Sequence, residues 1–271
     1  MKYSTLFILL LIIAFSFSCS SKEQEKEKAP VVTAIYPSTD TLPENLLRMY
    51  IHFSQPMKTI GNLEQIKLLD DSGKEVQGAI FNNVYELWDN EQQQLTLIFD
   101  PSRVKTALKV NEELGRALQE GRHYQLVIDS LKDVYGIPLS APFRKSFWVG
   151  PEDVIPPDHI TWEIATPPLN TRSPLTIHFP DMLDLFSLQQ RLILTHQNNQ
   201  AIDGNIEIGP YEKTWQLIPA RPWQSGNYTL YIHTRLEDPA GNNLNGLFDH
   251  KKGELKYATE DVVLQLPILI E

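Results

Sequence analysis

The chain has 271 residues, of which 42% are hydrophobic and 21% charged, with 34 acidic against 24 basic side chains. A net charge of −10 without a basic stripe excludes the phosphate-neutralising surface of a nucleic-acid-binding protein, so no nucleic acid is expected as a partner. The single cysteine, Cys19, excludes an intrachain disulfide framework and a thiolate metal site.

Residues 1–18 have the pattern of a cleaved secretory leader. Lys2 supplies a positive charge, and the apolar stretch that follows is shorter than the roughly 20 residues of a membrane-spanning helix. Ser18 and Cys19 resemble the cleavage site of bacterial lipoproteins, although Ser16 stands where that family usually has leucine. The resemblance implies cleavage between Ser18 and Cys19 and lipidation of Cys19.

Residues 19–30 are predicted to be a flexible tether. The run KEQEKEK offers no apolar side chain to bury, so it cannot offset its own ordering entropy. Ser20, rather than aspartate, after the cysteine resembles lipoproteins that are sent to an outer membrane. We therefore expect a lipid anchor in the outer membrane, with the periplasmic and the cell-surface side both left open. The alternative is an ordinary secretory signal with an incidental cysteine.

Two long stretches of the chain repeat each other. Ile51-His52-Phe53 aligns with Ile177-His178-Phe179, and the segment 120–139 aligns with 225–244. Only the strand within the latter, 124–128 against 228–232, needs a one-residue slip, which a β-bulge accommodates. Apolar residues alternate with polar ones within each copy, and turn-forming residues separate these stretches, as in antiparallel β-sandwiches.

The fold class is therefore all-β, with two tandem sandwich domains at residues 31–150 and 158–250. A Pro-rich linker is expected at 151–157, and residues 251–271 are expected to be a C-terminal extension whose last strand docks on a neighbour. Only the first copy contains the segment 102–119, predicted to form a short helix or a long loop. This inserted segment either carries a function or simply covers one end of the sandwich.

The repeats resemble bacterial Ig-like domains of the S-layer type. The first copy carries the FS-x-PM turn of that family at residues 53–57, and the second carries its D-x-x-GN closing turn at residues 238–242. Each copy holds half of this signature. The resemblance implies Ig-like sandwiches and is nearly silent on function, because such domains act as spacers, stalks and binding modules.

No catalytic pattern was found in the sequence. The histidines are scattered without an H-E-x-x-H pair, and neither a G-x-S-x-G elbow nor a P-loop is present. Asp238, Asn242 and Asn243 are a weak calcium candidate, because several oxygens lie on one tight turn. Such turns more often bind their own backbone amides, so no metal or other cofactor is expected.

Two groups of side chains are candidates for ligand binding. Trp88 and Trp223 are expected near exposed loops, where they would stack on sugar rings. Arg103 and Lys105 stand out in an acidic chain and would meet an anionic partner, or else form ordinary surface ion pairs with neighbouring glutamates. Trp148 and Trp162 flank the linker and are expected to pack between the domains.

Three functions follow from these features. The first is a non-catalytic cell-envelope lipoprotein that acts as a structural, adhesive or protein-interaction module, with the membrane and an unknown envelope protein as its partners. The second is a carbohydrate-binding lipoprotein that captures polysaccharide. The third, a hydrolase that uses the inserted segment as a lid, lacks any supporting catalytic residue.

Overall fold

A computed structural model describes residues 28–82, 85–106, 108–196, 200–249 and 262–271. These residues form two β-sandwiches, each with its own hydrophobic core. None of the helices in the described ranges has the length and apolar content that a bilayer crossing requires. The prediction of an all-β fold with tandem sandwiches is confirmed.

The first sandwich contains eight strands: β1 (Val32–Tyr36), β2 (Thr41–Pro43), β3 (Arg48–Phe53), β4 (Ile66–Leu69), β5 (Leu87–Trp88), β6 (Gln94–Ile98), β7 (His123–Ile128) and β8 (Phe143–Gly150). One sheet has the order β1-β3-β6-β5 and the other β2-β8-β7-β4. Only β2 pairs in parallel, with β8; the other pairs are antiparallel.

The second sandwich has seven strands: β9 (Glu163–Ala165), β10 (Leu175–His178), β11 (Leu192–Thr195), β12 (Gly204–Ile208), β13 (Thr214–Pro219), β14 (Gly226–His233) and β15 (Val263–Ile270). Its sheets have the orders β9-β10-β13-β12 and β11-β14-β15. In both sandwiches one sheet has the A-B-E-D order of Ig domains and the other contains C, F and G. The Ig-like fold follows from this strand order.

Period-two alternation places the core. Met49, Ile51 and Phe53 of β3 are buried, as are Leu95 and Leu97 of β6. The second sandwich buries Leu175 and Ile177 of β10, together with Tyr228, Leu230 and Ile232 of β14. Because β3 and β10 hold the same position in their sheets, as do β7 and β14, the sequence repeat corresponds to a structural one.

The last strand corrects one domain boundary. β15 pairs with β14 along its whole length, from Val263 opposite His233 to Ile270 opposite Gly226. Ile268 and Ile270 lie in the second core. Placing the end of the second domain at 250, with a separate extension beyond it, was therefore wrong. This strand is the G strand of the second sandwich, and a long connection after β14 hid it from the sequence pattern.

The inserted segment of the first sandwich forms two short helices, α1 (Pro101–Val104) and α2 (Lys109–Leu114). Asp100 caps α1 by accepting a hydrogen bond from the amide of Ser102. Val104 and Leu118 are buried in the first core, whereas Leu108 and Leu114 are exposed, so the four do not share one helical face. A third helix, α3 (Leu185–Gln190), lies in the second sandwich.

Candidate functional site

The two sandwiches meet end to end at a hydrogen-bonded joint. Arg48, at the start of β3, pairs with Glu237 at 2.6 Å between Nη2 and Oε2. The hydroxyl of Tyr50, also on β3, donates to Asp184 Oδ2 at 2.6 Å. The amide of Leu47 donates to the carbonyl of Pro239 at 2.9 Å. The start of β3 is thereby bound to the closing turn and the α3 cap of the other domain.

Burial shifts the ionisation of these groups. Burial opposes the charge of Arg48, but the carboxylates of Asp184 and Glu237 outweigh it, so its pKa is raised and it stays charged. Burial raises the pKa of Tyr50, and the neighbouring Asp184 charge raises it further. The hydroxyl therefore remains a hydrogen-bond donor. Burial also raises the pKa of Glu237, against the opposing charge of Arg48.

A strained hairpin places Glu212 at the same joint. Tyr211 and Glu212 are consecutive non-glycine residues with φ of 59° and 53°, a conformation that costs free energy unless surrounding contacts hold it. Here the amide of Ser38 donates to Glu212 Oε2 at 2.9 Å, and the amide of Tyr211 donates to Ser38 Oγ at 3.1 Å. Burial raises the pKa of Glu212.

The predicted linker is bonded to both domains. The Asp153 carbonyl accepts hydrogen bonds from Asn45 Nδ2 at 2.9 Å and from Asn242 Nδ2 at 3.1 Å. Arg116 pairs with Glu44 at 3.1 Å and also with Glu152. Residues 151–157 are therefore held in place by contacts on both sides, beyond the stiffness of their prolines.

The weak calcium candidate is the closing turn of the second domain, and its oxygens bind protein donors. Asp238 Oδ1 accepts from the amides of Ala240 and Asn242, and Oδ2 accepts from Asn242 Nδ2. Asn242 Oδ1 accepts from Phe248, and Asn243 Oδ1 from Asn245. The turn thus satisfies itself, and in the described ranges no group of three or more His, Cys, Asp or Glu could hold a metal ion.

The basic candidates are also occupied. Arg103 is buried, and its guanidinium donates to the carbonyls of Gln77, Leu114, Gly115 and Arg116. Its assignment to an anionic partner was wrong, because these bonds fold the inserted segment back onto itself. The Lys105 ammonium lies 4.1 Å from the ring centre of Phe248 in the second domain, so it takes part in the contact between the two domains.

The tryptophans depart from their expected places. Trp223 is only 2% exposed and donates to the Ser173 carbonyl, so its prediction as an exposed sugar platform was wrong. Trp88 is half-buried against Phe53, with its Nε1 donating to Glu86. Trp148 is 55% exposed beside His123 rather than packed between the domains. Ser18 and Cys19 lie outside the described residues.

A cleft of about 550 Å³ opens beside the joint. Trp162 lies on its wall, edge-on to the buried Phe179 at 4.9 Å between ring centres. Met182 and Ile155 add apolar surface. The wall also contains prolines of the linker and several acidic residues, among them Pro151, Pro156, Pro157, Glu152, Asp153, Asp158, Asp181 and Asp238.

Burial raises the pKa of two carboxyl groups of the cleft. Burial and the nearby charge of Asp153 raise the pKa of Asp238 to about 8. Burial also raises the pKa of Asp153. Lys213 lies 3.8 Å from Asp181 at the rim. Apolar walls with a few polar groups are typical of binding sites between domains. The sequence contained no pattern that indicated this cleft, because its residues come from five separate stretches of chain.

No family model matches the chain, and no curated protein matches it. Among solved structures, 90% of the chain aligns with the S-layer protein rSbsC at 9% identity and a TM-score of 0.31, which covers 41% of that chain. It aligns over 90% with native alpha-2-macroglobulin from Escherichia coli at 11% identity and a TM-score of 0.29, covering 72% of that chain. The titin Ig tandem domains align over 90%, at 10% identity and a TM-score of 0.25, with 98% of that chain covered.

The chain thus spans less than half of the S-layer structure. These alignments have low identity and low structural overlap, so the Ig-like assignment rests on the strand order of the two sandwiches.

Proposed function

We propose that the protein is a non-catalytic, lipid-anchored module of a bacterial cell envelope that holds a partner protein in the cleft between its domains. The observation that carries this proposal is the joint. Domains in one chain move relative to each other by default unless their interface is extensive. Here the pairs Arg48–Glu237 and Tyr50–Asp184 and the doubly bonded carbonyl of Asp153 hold the cleft in one shape.

The cleft has the composition of a protein-binding surface. Its lining combines aromatic and apolar side chains with several carboxylates, so it offers both an apolar contact and polar groups to a partner. Ile155 projects from the linker and is largely exposed, so a partner can reach it. A fixed cleft needs no reordering of the domains on binding, which lowers the entropic cost of association.

Capture from detergent-solubilised envelopes tests the partner. The full chain with Ile155→Asp is expected to lose the protein that the native chain retains, because a charge would be buried in an apolar contact. Ile193→Asp is the matched control, since Ile193 is also an exposed isoleucine but lies on β11, away from the cleft. Equal capture by all three proteins would contradict the proposal.

The anchor is tested separately by metabolic labelling with a fatty-acid analogue. Native protein is expected to carry the label, and Cys19→Ser to lose it. Detergent phase partition should move the native protein, but not the variant, out of the aqueous phase, because buried acyl methylenes anchor it. Unlabelled native protein, or a labelled variant, would refute lipidation at Cys19.

Polysaccharide capture remains a second candidate, and Trp162 is the residue that favours it. Its half-buried ring lies in the cleft near Asp158 and Asp181, and this combination of an aromatic face with carboxylates suits sugar rings and their hydroxyls. Calorimetry with envelope polysaccharides is expected to show binding that Trp162→Ala abolishes and Trp88→Ala preserves. Absence of binding by the native chain would remove this alternative.

A further inference from the structure

The end of the first sandwich opposite the joint forms a distinct surface, which we call the N-terminal pole. It consists of residues 28–31, 54–65, 89–93 and 129–142. Backbone hydrogen bonds hold these segments together. The amides of Ser54 and Ser140 donate to the carbonyls of Val31 and Pro30, each at 3.0 Å, and the amide of Lys58 donates to the carbonyl of Lys132 at 2.9 Å. The N-terminal segment of the chain therefore joins the sandwich at this pole.

Exposed apolar side chains project from the tips of this pole. Ile60 is 82% exposed and Tyr135 is 75% exposed, and Val134 and Val31 are exposed as well. The amide of Val134 donates to the carbonyl of Pro56 at 3.2 Å, which joins its turn to the segment that carries Ile60. Single exposed apolar residues are common, but four at one end of a domain are a concentration of the kind that marks an interaction site. They lie at the far end of the sandwich from the cleft and cannot contribute to it.

The tip that carries Tyr135 is held in position from below. The buried Asp133 carboxylate accepts from the amides of Tyr135 at 3.0 Å and Ile137 at 2.8 Å, and from Gln55 Nε2 at 2.7 Å. These three bonds fix the turn, so Val134 and Tyr135 cannot fold back to bury themselves. The hydrogen bonds of Asp133 therefore keep the side chains of Val134 and Tyr135 exposed to solvent.

The equivalent turn of the second domain packs against the first domain. Asp238 there accepts from the amides of Ala240 and Asn242, as Asp133 does from its own turn. Ala240 and Asn242 are buried, and Pro239 accepts a hydrogen bond from Leu47 of the first domain. The same turn therefore serves as a contact surface in one domain and is uncovered in the other.

We propose that the N-terminal pole rests on the surface of a lipid bilayer, with Ile60, Val134 and Tyr135 in its interfacial layer. The proposal relies on the lipid anchor of the proposed function. Cys19 is nine residues before Lys28, which limits the reach of the tether to about 30 Å. The first protein surface that the anchored chain brings to the bilayer is this pole, and tyrosine prefers membrane interfaces.

The charges of the pole provide no net attraction to anionic headgroups. Within its four segments the exposed lysines Lys28, Lys58 and Lys132 stand against three exposed acids, Glu64, Glu91 and Asp129, the half-buried Asp89 and the buried Asp133. Apolar insertion, rather than attraction to anionic headgroups, must therefore supply the affinity. A short tether raises the local concentration of the pole at the bilayer to the millimolar range, so a weak intrinsic affinity is sufficient.

The test uses an artificial tether, so that its result is independent of lipidation. Residues 1–19 are replaced by a hexahistidine tag, and the remaining chain is bound to phosphatidylcholine vesicles that contain a nickel-chelating lipid. Because Cys19 is the only natural cysteine, a polarity-sensitive fluorophore can be placed at Thr59→Cys on the pole. Ser173→Cys, on the far end of the second sandwich, is the matched control. Emission at position 59 is expected to rise about two-fold and shift to the blue, with no change at position 173.

Ile60→Ser with Tyr135→Ser is expected to abolish the rise at position 59 while leaving the thermal unfolding midpoint unchanged, because both side chains are exposed. An unchanged emission at position 59 on vesicles would overturn the proposal. A rise that instead tracks protein concentration without vesicles would also overturn it, by identifying a second copy of the chain as the occupant. If labelling at Cys19 fails while the vesicle signal stands, only the proposed natural anchor is lost.

Discussion

The closing turns of the two domains have the same backbone and opposite surroundings. Residues 133–137 and 238–242 each close with an Asp amide donating to the carbonyl four residues on at 2.9 Å, and each has a glycine with φ above 80° at the fourth position. The second turn carries Pro239 and Ala240 and is buried against the first domain, whereas the first carries Val134 and Tyr135 and is exposed. Local hydrogen bonds thus set the shape of the turn, while the two side chains after the aspartate suit it to the surface it faces.

Replacing each turn glycine by alanine should give the largest difference in stability between the two turns. A Cβ at Gly241 would lie 2.7 Å from Leu47 Cδ2 and 3.2 Å from Phe248 Cγ, in addition to the positive φ. At Gly136 the nearest atom is Lys58 Nζ at 3.9 Å, so only the conformational cost remains. We expect Gly241→Ala to lower the free energy of unfolding by about 3 kcal/mol and Gly136→Ala by about 1 kcal/mol. Urea denaturation measures both, and equal losses would show that the buried turn is not tightly packed.

Tyrosines near the two turns provide a second contrast. Tyr50→Phe removes the hydroxyl that donates to Asp184 and leaves a buried carboxylate oxygen without that donor. The expected loss is about 2 kcal/mol in the free energy of unfolding. Tyr135→Phe should have almost no effect, since that ring is exposed. Small-angle X-ray scattering should also report a wider spread of domain orientations for Tyr50→Phe; an unchanged unfolding midpoint would contradict the role of this bond.

The stability of the protein should depend on pH through the buried closing turn. The pKa of Asp238 is raised to about 8 by burial and by Asp153, compared with about 3.9 in the unfolded chain. The unfolded state therefore loses its proton first, and the free energy of unfolding falls as pH rises from about 4 to about 8, by at most about 1.4 kcal/mol per pH unit. The raised pKa values of Asp153, Glu212 and Glu237 act in the same direction.

Urea denaturation at pH 5 and pH 8 checks this sign, and carbon-13 NMR of the Asp238 carboxyl assigns it to the residue. Greater stability at pH 8, together with a carboxyl that titrates near its ordinary pKa, would refute the buried environment of this turn.

The smallest effect is expected where the inserted segment contacts the second domain. Lys105→Met removes a cation placed over Phe248 and should cost about 0.5–1 kcal/mol. Lys109→Met is the control, because that lysine lies on the exposed face of α2 and makes only a local pair with Glu113 at 3.6 Å. Equal unfolding midpoints for the two variants would show that the contact adds no stability.

The strands and their repetition could be predicted because they depend on local periodicity. The alternation in 48–53 and 174–179 marks the two B strands, and the turn residues mark their ends. The last strand was assigned to the wrong place because its apolar run, residues 262–270, is separated from its partner β14 by a long connection. Periodicity identifies a strand but not the sheet that it joins.

The joint and the cleft could not be predicted, because they consist of pairings between distant residues. Tyr50 looks like an ordinary outward-facing strand residue, and only the approach of the second domain gives its hydroxyl a partner in Asp184. Trp223 and Arg103 were misplaced for the converse reason. Large or charged side chains are often exposed, but here backbone carbonyls satisfy their polar atoms inside the fold.

Pro267 has a consequence for how this chain behaves among copies of itself. In the first sandwich β2 covers the outer edge of β8, but no described strand covers the outer edge of the corresponding β15. An uncharged strand with a free edge is a template for chain-to-chain pairing and aggregation. Proline has no amide hydrogen, and in an edge strand its nitrogen faces away from the sheet, so it interrupts the donors that an incoming strand would need. A single proline thus opposes the pairing of β15 with a strand of another copy.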